Sequence, residues 1–240
     1  MNQKTFSDIK FDTLNSGNPV LGIKKLTYSE QVVEYIKQSI LEGELSPGDQ
    51  IKEVLLSKKL GISRAPIREA LQILAREGLI HSEPQKGKYI KSLTSKQIED
   101  SYFTGAVLEA AAVSQAIAHY TPEDISKLEE IVGYMYSVAE SGEDTDLLAS
   151  LDSTFHNILF SRVKNELLID LCRRSCQGIS KLLLYKCWIN LYTPRQVHER
   201  HLKILQALKS GKASKLETII RDHYIESGKR MAHYGAETQS

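Results

Sequence analysis

Long apolar runs, a cysteine framework and an excess of charge of one sign are all missing from this chain. No stretch of about 18 or more consecutive apolar residues occurs, so a transmembrane helix is not expected. The opening MNQKTFSDIKFDTLNSGNP has no apolar h-region, so a secretory leader is not expected either. Cys172, Cys176 and Cys187 are the three cysteines. An odd number without a leader points to free thiols and a cytoplasmic location. The balance of 31 Lys+Arg against 30 Asp+Glu leaves a net charge of +1, which argues against a highly charged disordered chain. Internal repeats and low-complexity segments are also lacking.

What is present is an ordinary globular composition, 41% hydrophobic and 25% charged over 240 residues, enough for a sizeable core in one or two domains. The charge is unevenly spread. Residues 57–93 hold eight basic and three acidic side chains, an excess of +5, which leaves −4 for the rest. A basic patch on a neutral protein suggests a polyanion-binding module joined to something else.

Local signals divide the chain. Residues 1–25 lack periodicity and read as a flexible extension. Thr27-Tyr28-Ser29-Glu30 has capping-box spacing, followed by Val32, Val33, Ile36 and Ile40 at helical intervals. A turn at 44–49 precedes a short helix, Glu53–Leu60. Gly61 stands where a left-handed cap is wanted, and Ser63 is placed to cap a third helix from Arg64 to Glu77, with Pro66 in its first turn. Leu79–Ser82 and Lys88–Lys91 read as strands around a basic turn. From Thr94 on, every segment reads as helix: 95–119, 122–140, 144–163, 165–187, 194–209 and 212–232. The fold expected is mainly α. A winged helix-turn-helix over 26–93 precedes an all-α bundle of six or seven helices over 94–235.

In a helix-turn-helix the second helix enters the major groove N-terminus first. Arg64 and Arg68 lie four apart on one face of it, and an arginine fork matches guanine O6 and N7. Ser63 and the free N–H groups of the first turn suit phosphate. Lys86-Gly87-Lys88 forms the tip of the wing. Taken singly, these arginines read as solvated surface; together with the wing and the local charge they read as a DNA-binding set.

Leu60-Gly61-Ile62-Ser63-Arg64-Ala65-Pro66-Ile67-Arg68-Glu69-Ala70-Leu71, then Leu74 and Glu77-Gly78-Leu79-Ile80, resembles the winged helix of GntR-type bacterial transcription regulators. The helical remainder resembles the FCD effector domain of the FadR subgroup. The resemblance spans roughly residues 26–230 and adds Ala65 to the DNA-facing set, although that family often has threonine there.

Seven histidines are present. Asp152 and His156 are four apart on one helix face. His201 opens the apolar stripe Ile204, Leu205, Leu208, and His223 follows Ile219 and Ile220. One histidine on an apolar face is ordinarily a buried, hydrogen-bonded core residue. Three histidines and a carboxylate aimed inward from three helices suit a divalent transition metal such as zinc, nickel or manganese. The FCD resemblance implies the same ligands, a metal at the floor of a cavity, and a small carboxylate completing its coordination. It also implies an arginine at the position of Gly105, whose absence removes one carboxylate partner. His198 reads as surface or as support to His201; His81, His119 and His233 read as structural or exposed; Cys172 and Cys176 read as helix packing.

The function expected is a DNA-binding regulator, a repressor without enzymatic activity. It would bind a palindromic operator as a homodimer, with no membrane partner, and answer to an organic-acid effector. A metal-dependent hydrolase or lyase carried by a DNA-binding head, and a pure metal-ion sensor, are the alternatives.

Overall fold

The computed structural model describes residues 26–142 and 147–236, without the side chains of residues 176 and 177. The expected extension over residues 1–25 lies outside them.

Helix α1 (Tyr28–Glu42) starts at the expected capping box. The Thr27 hydroxyl accepts from the Glu30 N–H, and the Glu30 carboxylate accepts from the Thr27 N–H. Its buried face is Val32, Val33, Ile36 and Ile40. Strand β1 (Gln50–Ile51), helix α2 (Glu53–Leu60), helix α3 (Arg64–Arg76) and strands β2 (Ile80–Glu83) and β3 (Gly87–Ile90) complete the head. The strands pair antiparallel in the order β1-β3-β2, with Ile80 opposite Ile90 and Gln50 opposite Tyr89. Strand β1 was not expected, because two residues are too short to show a period-two pattern. Gly61 adopts φ 65° and turns α2 into α3, while Ile67, Ala70, Leu71 and Leu74 of α3 are buried.

Behind the head come α4 (Ser95–Gln115), α5 (Pro122–Ser141), α6 (Leu147–Phe160), α7 (Glu166–Arg174), the short α8 (Lys181–Leu183) and α9 (Tyr185–Trp188), α10 (Pro194–Lys209) and α11 (Ala213–Met231). Capping boxes start α4, α5 and α10, the last two with proline in the first turn. The mainly α architecture, a winged helix-turn-helix followed by a helical bundle, is the expected one. One expected helix is broken up. The helix expected over 165–187 breaks into α7, an irregular turn at Ser175–Ser180, α8 and α9. Gly178 has non-helical φ −87° and ψ −106°, and a glycine inside a helix costs about 1 kcal/mol relative to alanine.

Helices α4 and α11 pack closely. A Cβ on Gly228 would lie 2.5 Å from the Cβ of Tyr102, so only glycine permits this approach. Phe155, Leu159, Ile204, Leu216 and Met135 fill the bundle core. The chain then returns to the junction of head and bundle: the Ala236 N–H donates to Leu93 O at 2.8 Å, and the Ser95 hydroxyl donates to Ala232 O at 2.7 Å. Among the described residues, no helix is long and apolar enough to cross a membrane.

Candidate DNA-reading surface and metal centre

Arg64 and Arg68 sit on the first turns of α3 with a little over half of each side chain exposed. Ser63 occupies the N-cap position, but its hydroxyl makes no capping hydrogen bond, contrary to the sequence expectation. Ala65 is exposed between them. At the wing, Gln85 and Gly87 take φ of 62° and 118°, and the tight turn exposes Lys86. Lys88 behaves otherwise: it is half-buried and turns back into the head.

Glu53 explains this. Its carboxylate meets Arg68 Nε at 3.2 Å, an Arg64 guanidinium nitrogen at 3.5 Å and Lys88 Nζ at 3.4 Å. Burial by itself would raise this carboxyl, but Lys88, Arg68 and Arg64 together hold it below its ordinary value. One acidic residue thus gathers three of the cations expected to face DNA. Sequence reasoning missed it. The one available signal was its place at the start of α2, a turn ahead of the basic helix.

In the bundle, α6 supplies Asp152 and His156, α10 supplies His201 and α11 supplies His223. Each offers one ligand atom, all within 4.8 Å of one another. Their orientation is fixed from behind. Nδ1 of His156 lies 2.5 Å from Glu109 Oε1 on α4, and the other oxygen of Glu109 accepts from the Tyr224 hydroxyl at 2.6 Å. Nδ1 of His201 lies 2.8 Å from Val197 O. Carboxylates and carbonyls only accept, so both Nδ1 atoms carry hydrogen and the Nε2 atoms are the ones that face the cluster. Nε2 of His201 is then 3.2 Å from Asp152 Oδ1, and Nε2 of His156 is 3.8 Å from it. Acceptor facing acceptor at that spacing calls for a proton or a cation between them. Nδ1 of His223 is buried and finds no hydrogen-bond partner among the described residues. The donor set fits a divalent metal on all three counts: atom type, convergence and an orphaned nitrogen.

The surroundings shift each group differently. Burial, then the neighbouring Arg200, His201 and His156, hold His223 well below the usual histidine range, so it stays neutral. Burial opposes protonation of His156, but the Glu109 carboxylate outweighs it and raises that ring above its ordinary value. Asp152 would be raised by burial; Lys181 and the two histidines reverse this and hold it well below the ordinary carboxyl value.

Two small adjoining cavities share Asp152, Trp188, His223 and Ser227. Among the described residues, the cations lining them are Lys181 and Arg200. Arg200 is committed, donating to His223 O at 2.5 Å and Ser227 Oγ at 2.9 Å while pairing with Glu226. The ring of Tyr192 is held between Arg200 and Arg230, at 4.1 and 4.4 Å. Gly105 is buried on α4, on the face that carries Tyr102 and Glu109.

The remaining residues singled out in the sequence stand apart from the cluster. His198 packs edge-on to Tyr136, and His81 stacks on Tyr89; His119 ends one short turn and His233 lies within another. Cys172 packs with Ala112 and Phe160, its thiol pushed up to about 12 chiefly by burial. The side chain of Cys176 is not among those described.

Two family models match the chain. Residues 28–90 match the bacterial regulatory proteins of the gntR family, and residues 100–226 match the FCD domain. The Nta operon transcriptional regulator of Aminobacter aminovorans is 32% identical over 74% of this chain and 81% of its own length. The HTH-type transcriptional repressor RspR of Escherichia coli is 24% identical over 82% of this chain and 86% of its own. The solved E. coli McbR/YncC has the same fold, with a TM-score of 0.65 over 88% of this chain and 99% of its own, at 20% identity.

Proposed function

Because the chain belongs to the gntR family of bacterial regulators and carries an FCD domain, a family of transcription regulators rather than enzymes, we propose that it is a ligand-controlled repressor whose ligand site is built on a metal. Residues 26–93 act as the DNA-binding domain. Arg64 and Arg68 read base edges, Ser63 and Ala65 lie against the DNA backbone, and Lys86 and Gly87 at the exposed wing tip grip the adjacent groove, while Lys88 stays turned into the head. Residues 94–235 bind the effector and form a homodimer, whose two-fold axis matches a palindromic operator. The location is cytoplasmic.

Asp152, His156, His201 and His223 would hold a divalent ion such as zinc, nickel or manganese, which when bound supplies a positive anchor for an organic acid. The chain does the rest. Glu109 and Val197 fix the histidine tautomers, Trp188 and Tyr192 wall the cavity, and Lys181 and Arg200 keep it electropositive. The observation carrying this reading is the convergence of four donors, two of them imidazoles whose Nδ1 hydrogens are held away from the centre.

Elemental analysis of the purified protein, beside a His201→Ala/His223→Ala variant, tests the site. Near-stoichiometric transition metal is expected in the first and loss of it in the second. Equal metal in both removes these ligands, and operator affinity that follows free metal with no organic ligand makes the ion itself the effector.

A further inference from the structure

The broken segment between α7 and α10 touches both the cavity and the head. On its inner side, Lys181 Nζ lies 2.7 Å from Asp152 Oδ2 and 3.7 Å from the centre of the Trp188 ring. On its outer side, α8 packs against α1. The side chain of Ile179 fills the space beside Gly78, where an added Cβ would approach it to 2.9 Å, and Lys186 lies over Gly43 in the same way. Those two glycines terminate the DNA-reading stretch and α1, with φ of 80° and 75°. The segment is the least regular of the bundle, interrupted at Gly178 and again at Leu184, whose φ and ψ are −113° and 25°. A short, interrupted segment shifts more readily than a long helix.

Lys181 and a metal ion both claim Asp152. The ammonium neutralises a carboxylate that is one of the four converging donors, and a divalent charge entering that cluster repels a cation already seated on it. We propose that Lys181 is the resident counter-ion of Asp152, surrendered when a divalent cation enters, and that the broken segment carries this exchange to the DNA-binding head. The inference rests on the metal reading above and assigns what that reading leaves open, the route from cavity to DNA.

Zinc alone serves as the probe, with the full-length, metal-stripped protein. Competition against a chromophoric chelator gives affinity, and hydrogen–deuterium exchange gives the response of each segment. Lys181→Met is expected to bind zinc about tenfold more tightly than wild type, because a competing positive charge is gone. Lys181→Arg restores the wild-type value, and Lys181→Gln repeats the first result should the methionine variant not fold. In wild type, zinc should change exchange in α8, α9, the end of α1 and the turn at Gly78. In Ile179→Ala the head should lose that response while zinc affinity stays put. Unchanged affinity in a folded Lys181→Met, or an exchange response confined to α6, α10 and α11, overturns the proposal. A wild type that binds no zinc removes the metal reading and this inference with it, an outcome distinct from either of those.

Discussion

Replacing Glu109 by glutamine keeps the side chain's shape and removes one charge from a group that backs the four donors without being one of them. In wild type the buried carboxylate meets His156 Nδ1 at 2.5 Å and the Tyr224 hydroxyl at 2.6 Å. Hydrogen bonds to a charged partner contribute roughly 1.5–3 kcal/mol and neutral ones roughly 0.5–1.5. Neutralising both contacts should therefore cost about 2 kcal/mol of folding stability, partly offset because an amide is easier to bury than a carboxylate. The effect on the centre is separable. An amide presents a donor as well as an acceptor, so the ring of His156 loses both the negative partner that raises its basicity and the constraint on its tautomer. Changes to partners of this kind weaken metal affinity about 10–100-fold, equivalent to about 1.4–2.7 kcal/mol. Zinc competition against a chelator near neutral pH measures this, with a denaturant melt of the metal-free protein run on the same preparation. Glu109→Leu is the harsher control, leaving His156 Nδ1 and the Tyr224 hydroxyl without their shared acceptor at about 1–3 kcal/mol each. Wild-type zinc affinity in a folded Glu109→Gln protein would refute the claim that Glu109 orients the site.

Arg68→Ala should weaken operator binding by about 1–3 kcal/mol, read by fluorescence anisotropy; if affinity at physiological salt does not move, α3 is not the reading helix. Glu53→Gln frees Arg64, Arg68 and Lys88 from their common carboxylate, so random-sequence DNA should bind more tightly and the ratio of operator to random affinity should drop about tenfold. A preserved ratio means Glu53 has no part in positioning them. Asp124, buried at the start of α5, takes both Arg162 Nε and a second guanidinium nitrogen at 2.7 and 2.9 Å, and the Arg162 pairing holds its carboxyl far below the ordinary value of 3.8. A depressed folded-state value stabilises the protein above the unfolded value and loses that contribution as pH falls. Asp124→Asn should therefore cost about 1–2 kcal/mol at neutral pH, discounted because Arg162 is partly exposed, and the gap from wild type should close below about pH 4. Parallel melting curves across that range would dismiss the ion pair.

The fold was legible where short-range chemistry decides it. Thr27, Thr94 and Thr193 cap their helices because a hydroxyl and an N3 carboxylate or amide close on each other within four residues. The four converging donors were equally readable, since each lies on the apolar face of a periodic helix. Lys181 and Glu109 were not read as site residues. Lys181 sits in a stretch whose pattern is helical but whose backbone is not, because Gly178 and the demands of packing against both α4 and the head override periodicity. Glu109 reaches His156 across 47 positions of sequence, a distance over which spacing carries no signal. Glu53 failed to register for a related reason: its partners lie 11, 15 and 35 residues away.

The clasp between residues 232–236 and the junction at Leu93–Ser95 has a temporal consequence. Its hydrogen bond from Ser95 to Ala232 joins positions 137 residues apart, so during synthesis the head leaves the ribosome long before the residues that fasten it. At translation rates of about 5–20 residues per second, that interval is roughly 7–30 seconds. Throughout it, the head is without the contact that later joins it to the end of the bundle.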